Sequence, residues 1–186
     1  MGAARALIAV AAFSVAAVDA SAAAEVLLAR VACRDGAPNG AFELHSTNGR
    51  LRATGAFAYG IKTGTFIFWT AAGARSAVVP YDHDVRTGTV ALWYTRGPLE
   101  VGRSLEAPFR DGQVNGVVRS FYPGGAQRGE YRFEAGTLMA ATAWSAQGRP
   151  LREVQARKAA ASDLADAERL LAGLESAIDA NLPHCS

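Results

Sequence analysis

The feature that most constrains the fold of this chain is a short pattern written five times between Cys33 and about Gly148. Its first column holds Gly36, Gly60, Asp84, Gly112 and Gly136, at steps of 24, 24, 28 and 24 residues. A second column, four residues further on, holds Gly40, Gly64, Gly88, Gly116 and Ala140. A unit this short has room for two strands and two turns, and one hairpin alone cannot bury its apolar face. The pattern therefore predicts a mainly β protein, an array of about five stacked β-hairpins in one elongated, twisted antiparallel sheet.

Aromatic residues complete the pattern. Phe57, Tyr81, Phe109 and Phe133 stand three residues before the first column, in the place that Cys33 occupies in the first unit. The second unit reads Phe57-x-x-Gly60-x-x-x-Gly64-x-Phe66-x-x-Trp69 and resembles the MORN-type repeats of the YwqK-family antitoxins. The resemblance implies a hairpin-repeat fold and a toxin-neutralising role. Asp84 and Ala140 depart from it, since each stands where the pattern has glycine.

Alternation along each strand predicts which residues share a face of the sheet. The buried face is expected to hold Phe57, Phe66 and Phe68 in the second unit, and Val79, Tyr81, Val90 and Leu92 in the third. The opposite parity includes further aromatic residues, and the candidate binding surface comprises Trp69, Trp93, Tyr94, Phe121 and Tyr122. The alternative is that these aromatic side chains pack against each other and against turns.

The single break in the period is a four-residue insertion near Pro98 to Pro108. A hairpin array is expected to accommodate it as a longer loop. Loops on a rigid scaffold often carry recognition. A tolerated surface insertion is the alternative.

The first 24 residues have the organisation of a secretory signal peptide. Arg5 precedes an apolar stretch from Ala6 to Val18, which is too short to span a bilayer, and small residues follow up to Ala24. We expect cleavage after Ala22 or Ala24 and a periplasmic or secreted protein with no transmembrane segment after cleavage. The alternative is an uncleaved anchoring helix, which the short length and Asp19 disfavour.

The rest of the chain divides into a hairpin-repeat domain, residues 25–149, and a helical segment, residues 150–186. Cys33 and Cys185 lie at opposite ends of this exported part, and in an oxidising compartment they predict one intramolecular disulfide. A buried free thiol at Cys33 and an intermolecular bridge are the alternatives.

The C-terminal segment from Leu151 to Leu182 predicts an amphipathic helix, with a possible break near Ala160. Its apolar stripe is Leu164, Leu171, Leu174, Ile178 and Leu182, and its polar face is mostly acidic, with Asp163, Asp166, Glu168, Glu175 and Asp179. The helix and the hairpin array have similar expected lengths, roughly 45 Å each. The helix is therefore expected to run back along the sheet over the column of Phe57, Tyr81 and Phe109, with the disulfide fixing its end to the first unit.

Motifs for catalysis, metal binding and nucleic-acid binding are weak in this sequence. Asp82-His83-Asp84 is the one cluster that suggests a metal ion or proton transfer, and its place in the turn column favours solvated turn residues. No CxxC, HExxH or phosphate-binding glycine loop occurs. The formal net charge is +2, without a basic cluster interleaved with aromatics. We expect no enzyme activity, no cofactor, no metal and no nucleic-acid partner.

These patterns together predict a non-enzymatic, exported repeat protein that acts by binding another protein. The resemblance to YwqK-family antitoxins implies that this partner is a toxin. The alternative is a structural or envelope-associated scaffold that contacts the cell wall or the membrane.

Overall fold

The computed structural model describes residues 25–186, so the predicted signal peptide lies outside the described residues. The described residues form one open sheet of 12 antiparallel strands and one C-terminal helix. The strands are β1 (Leu27–Arg34), β2 (Ala37–Ser46), β3 (Leu51–Ala58), β4 (Ile61–Trp69), β5 (Arg75–Asp82), β6 (Val85–Arg86), β7 (Gly88–Arg96), β8 (Leu99–Arg110), β9 (Gln113–Val114), β10 (Gly116–Phe121), β11 (Gln127–Glu134) and β12 (Thr137–Ala143), and the helix is α1 (Glu153–Asp179).

The order of strands in the sheet follows their order in the chain. The path runs β1-β2-β3-β4-β5-β7-β8-β10-β11-β12, while the two-residue strands β6 and β9 pair with β5 and β8. Neighbouring strands of the path are connected by short segments and pair with each other, as stacked hairpins require. The mainly β, hairpin-repeat architecture predicted from the sequence is confirmed.

The first-column residues form hairpin turns, and these turns all lie at the same end of the strands. Both turn residues have positive φ in all five: Asp35-Gly36, Tyr59-Gly60, His83-Asp84, Asp111-Gly112 and Ala135-Gly136. Two consecutive positive φ values characterise the type I′ turn, whose twist matches that of the strands it joins. Asp84 has φ of 64° in place of a glycine, and aspartate enters this region more readily than most residues.

Neighbouring first-column turns are hydrogen-bonded to each other. The amides of Gly60, Asp84, Gly112 and Gly136 donate to the carbonyls of Pro38, Lys62, Arg86 and Val114 in the preceding unit, at 2.7 to 3.2 Å. Each unit after the first is therefore joined to the one before it by the same backbone bond, including the unit that follows the insertion.

The insertion lengthens a hairpin and does not form the expected loop. Strand β7 continues to Arg96 and β8 begins at Leu99, so only Gly97 and Pro98 remain as the turn. The added residues stay paired, with Thr95 opposite Glu100 and Arg96 opposite Leu99. Backbone pairing satisfies the amide and carbonyl groups that a loop would leave to water, so the third hairpin projects beyond its neighbours.

One face of the sheet carries an aromatic core. Phe66 is fully buried and its ring centroid lies 5.3 Å from that of Tyr81, 5.7 Å from Phe57 and 6.0 Å from Phe42. The residues predicted to share this face are all buried: Phe57, Phe66, Phe68, Val79, Tyr81, Val90 and Leu92. The predicted strand alternation is confirmed for both units.

Helix α1 packs on this aromatic face, which we call the helix face. The helix runs unbroken from Glu153 to Asp179, without the break considered near Ala160. Its buried positions are Ala156, Ala160, Ala167, Leu171 and Ile178, whereas Leu164, Leu174 and, beyond its end, Leu182 are partly buried. Leu171 and Ile178 of the predicted stripe are therefore buried at the contact, and three alanines share it with them.

The helix runs back from the fifth unit to the first, as predicted. Asp163 accepts a hydrogen bond from Tyr131 in β11, Glu175 contacts Tyr81 in β5, and Asp179 lies 3.0 Å from the amine of Lys62. Beyond the helix, Cys185 is bonded to Cys33 in β1, with 5.5 Å between their Cα atoms. The predicted intramolecular disulfide is confirmed.

The acidic residues of the helix form a row of ion pairs with the sheet. Asp163 pairs with Arg128 at 3.1 Å, Glu168 and Glu175 pair with Arg86 at 2.8 Å, and Asp179 pairs with Lys62. Asp166 and Glu153 pair within the helix, with Arg169 and Arg157. The acidic side of the helix therefore takes part in the docking, and it fixes where along the sheet the helix lies.

Candidate functional site

The face of the sheet opposite α1 is the open face, and its residues alternate with those of the helix face. A row of five partly exposed ring side chains crosses it, one from each unit: His45, Trp69, Trp93, Phe121 and Trp144. We call this set the ring row. Each member directly follows a buried residue of the helix face, namely Leu44, Phe68, Leu92, Ser120 and Ala143. Because successive side chains of a strand point to opposite faces, this order places the rings on the open face.

The same irregularity in strand pairing accompanies four of the five rings. The register shifts at Leu44/His45, Phe68/Trp69, Leu92/Trp93 and Ser120/Phe121, and the extra residue belongs to the partner strand each time. These β-bulges sharpen the local twist while leaving the alternation of the ring-bearing strand intact. Four members of the ring row therefore share one local geometry, while Trp144 lies in an isolated bridge with Pro150.

Trp93 is the centre of the row, because arginines from both neighbouring strands flank its ring. The guanidinium carbon of Arg75 lies 4.2 Å from the ring centroid and that of Arg103 lies 4.8 Å from it. Both distances are typical of cation–π contacts. Arg75 also pairs with Glu100 at 3.0 Å, and Arg103 pairs with Glu106. The flanking charges are thereby held in place beside the indole.

Trp69 lies next along the row, where a shallow depression opens. Its pairing residue in β5 is Arg75, so the two side chains share the open face. Trp69, Leu51 and the turn residues Ala72 and Gly73 line the depression. The backbone carbonyl of Trp69 accepts a 3.0 Å hydrogen bond from Nε of Arg52. Trp69 thus lies beside both an arginine and a depression on the open face.

The structure divides the five residues of the predicted binding surface between the two faces. Trp69, Trp93 and Phe121 belong to the ring row. Tyr94 and Tyr122 are on the helix face, where their hydroxyls donate to the carbonyls of Phe121 and Trp144 at 2.9 Å. Burial raises the pKa of Tyr94 above its ordinary value. These two tyrosines connect the third unit to the fourth and the fourth to the fifth, and they do not belong to the open face.

Four residues of the site were not predicted from the sequence. His45 occupies the same column as Trp69, so the repeat alignment itself contained this signal, whereas Trp144 lies one residue before that column, which Ser145 occupies in the fifth unit. No sequence signal indicates Arg75 and Arg103, because their position beside Trp93 depends on the bulges that set the register across β5, β7 and β8.

A second concavity lies on the helix face, between α1 and strands β7, β8 and β10. This cleft of about 240 Å³ is lined by Tyr94, Arg128, Asp163 and Leu170 among others. Asp163 has 8% of its side chain exposed and is held by Arg128 at 3.1 Å and by the Tyr131 hydroxyl at 2.7 Å. Arg128 and Asp163 are thus already paired with each other, and their pairing anchors the helix to the sheet.

The Asp82-His83-Asp84 cluster forms an exposed turn. Nδ1 of His83 lies 2.6 Å from the Asp82 carboxylate, and the Asp84 carboxylate accepts a 2.8 Å hydrogen bond from the amide of Lys62. Across residues 25–186 no group of three or more histidine, cysteine, aspartate or glutamate side chains is arranged to hold a metal ion. Asp84 therefore stabilises the turn through its hydrogen bonds to the backbone of Lys62, which agrees with its prediction as a turn residue.

Comparison with known proteins assigns no family to this chain, since no family model matches it and a search of curated proteins finds no significant match. No helix in the described part of the chain is long and apolar enough to cross a membrane. The ring row and its flanking arginines therefore carry the functional interpretation.

Proposed function

We propose that this is an exported protein that acts without catalysis, by binding another protein on the open face of its sheet. The observation that carries the proposal is Trp93 held between Arg75 and Arg103 at the middle of a partly exposed ring row. Tryptophan and arginine are enriched at the centres of protein interfaces, where they contribute most of the binding energy. The helix covers the other face, so the open face is the broad surface left for a partner.

The partner is a toxin in the most specific form of this proposal. The repeat pattern resembles that of the YwqK-family antitoxins, and the hairpin array supports that reading of the pattern. An exported version of such a protein would meet its toxin in the periplasm or outside the cell. The disulfide between Cys33 and Cys185 supports this location, because such bonds persist in oxidising compartments.

Capture from a periplasmic extract tests the binding role. Tagged mature protein is the bait, and Trp93→Ala is the test variant. Thr89→Ala is the matched control, because Thr89 is an exposed residue of the same strand and the same parity. We expect Trp93→Ala to lose a specific protein that the control retains, with little change in the thermal midpoint. Loss of folding with Trp93→Ala would instead assign the indole to the core.

The same material tests the compartment and the alternative function. We expect osmotic shock to release a protein whose first residue is Ala23 or Glu25, and an intact Met1 would contradict export. Retention by purified cell wall or vesicles, with no protein captured, would favour the envelope scaffold over the binding of a protein partner.

A further inference from the structure

The ring row has a period that follows from the sheet. Its members lie on every second strand of the path, on β2, β4, β7 and β10 and directly after β12. Since neighbouring strands are about 4.8 Å apart, the ring positions repeat about every 9.6 Å and the row spans roughly 40 Å. A ligand that contacts every ring in the same way needs a similar repeat.

The polyproline II helix has this repeat. It advances about 3.1 Å per residue with three residues per turn, or about 9.3 Å per turn. Side chains on one side of an extended β-strand recur about every 6.6 Å, which does not match the row. Its spacing therefore favours a polyproline II ligand over a β-strand.

Apart from His45, whose ring nitrogens contact the Gly49 carbonyl and the Glu43 carboxylate, the side chains of the row and its flanking arginines offer hydrogen-bond donors only. The indoles of Trp69, Trp93 and Trp144 offer a donor and no acceptor, and so do the guanidinium groups of Arg75 and Arg103. The nearby carboxylates of Glu100 and Glu106 are paired with these arginines. A complementary ligand presents acceptors and apolar surface.

A proline-rich segment meets both requirements. Proline has no amide N–H, and a polyproline II backbone makes no internal hydrogen bonds, so its carbonyls are free to accept. Its pyrrolidine rings supply the apolar surface, and aromatic-lined surfaces are the usual receptors of such segments. The depression beside Trp69 and Leu51 offers such a ring a place between two members of the row.

We infer that the open face binds a proline-rich segment of the partner in the polyproline II conformation, with about one ligand turn per hairpin unit. This inference rests on the proposed protein-binding function and names the chemistry of the partner. A fully engaged segment has about 12 to 13 residues, because roughly 40 Å divided by about 3.1 Å per residue gives that length.

Binding of capped oligoprolines to the mature protein tests the inference. Peptides of about 6, 9, 13 and 17 residues are titrated against the intrinsic tryptophan fluorescence, with a Gly-Ser peptide and a chito-oligosaccharide as comparison ligands. We expect affinity to rise with length up to about 13 prolines and then to level off. Trp93→Ala weakens binding about tenfold or more, and Thr89→Ala leaves it unchanged.

Arg75→Gln is a second variant, in case Trp93→Ala fails to fold, and weaker oligoproline binding by folded Arg75→Gln is the expected result. Equal binding of the Gly-Ser peptide, affinity independent of length, or binding of the oligosaccharide alone would overturn the inference. A protein captured through Trp93 in the periplasmic experiment, without any binding of oligoproline, would overturn this inference while the proposed function stands. No captured protein and no oligoproline binding would overturn both.

Discussion

Arg86 in the sheet and Glu175 in the helix form a two-point ion pair, with Nε 2.8 Å from Oε1 and Nη2 3.0 Å from Oε2. Oε1 also accepts a hydrogen bond from the Tyr81 hydroxyl, and Nη1 of Arg86 reaches Glu168 at 2.8 Å. Only 15% of the Arg86 side chain and 27% of the Glu175 side chain are exposed. Removal of either partner therefore leaves the other charge poorly solvated.

We predict that Glu175→Gln lowers the free energy of unfolding by roughly 1–3 kcal/mol, the usual contribution of hydrogen bonds to charged groups. Arg86→Gln should have an effect of similar size, and the double variant should lose less than the sum, as measured by urea unfolding. Asp166→Asn is the control, because Asp166 and its partner Arg169 are both largely exposed on the helix. Its effect should stay within about 0.5 kcal/mol. Strictly additive effects of the two test substitutions would contradict a coupled pair.

The same pair predicts a loss of stability in acid. Burial alone would raise the pKa of Glu175, but hydrogen bonds from Arg86 and Tyr81 outweigh it and hold the pKa below its ordinary value of 4.5. A carboxyl whose pKa is lowered by folding stabilises the protein fully above its unfolded pKa, and this contribution is lost as the pH falls through the folded pKa. We expect the free energy of unfolding to decline below pH 4.5, and to decline less steeply in Glu175→Gln. Superimposable pH profiles would show that the pair does not contribute.

Reduction of the disulfide is expected to destabilise the fold and to free the end of the helix. Cys33 and Cys185 are 152 residues apart, so their bond removes many conformations from the unfolded chain. Loss of a native disulfide typically costs about 2–5 kcal/mol. The variant Cys33→Ser/Cys185→Ser should show this loss in denaturant unfolding, and faster amide hydrogen exchange near residues 174–186 than in the middle of α1. Unchanged exchange in this segment would indicate that the ion pairs alone hold the helix end.

Much of the fold could be predicted because the five repeat units can be compared with one another within the one sequence. Five copies of one pattern locate the turns, the strand alternation and the buried faces, so Phe57, Phe66 and Tyr81 were assigned to the core correctly. The direction of the helix followed from two lengths, from the placement of Cys33 in the first unit and from the position of Cys185 after the helix. Each of these inferences depends on spacing along the chain, which the sequence contains in full.

What could not be predicted depends on contacts across the sheet. The pairing of Arg86 with Glu175 joins a turn-proximal strand to a helix 89 residues later, and no local pattern indicates it. The predicted binding surface includes Tyr94 and Tyr122, although each directly follows another residue of that surface in the chain. Because neighbouring residues of a strand point to opposite faces, these two tyrosines belong to the helix face. The arginines beside Trp93 depend on β-bulges, which shift register without a mark in the sequence.

A glycine in the interior of β3 gives a test of the aromatic core. A Cβ atom built on Gly55 would lie 2.5 Å from Cδ1 of Phe66, and the Phe66 ring is fixed by Phe42, Phe57 and Tyr81. We predict that Gly55→Ala destabilises the protein by roughly 1–3 kcal/mol, as overpacked cores do. Gly173→Ala is the control, since nothing lies within 4 Å of a Cβ there, and alanine in a helix should stabilise by about 0.5–1 kcal/mol.

Thermal and urea unfolding of both variants measure these opposite effects. Combining Gly55→Ala with Phe66→Leu should cost less than the sum of the two substitutions, because the smaller side chain leaves room for the new methyl group. A stabilising or neutral Gly55→Ala would mean that the Phe66 ring moves aside without loss, and that the close packing of the first three hairpins is not what fixes this part of the sheet.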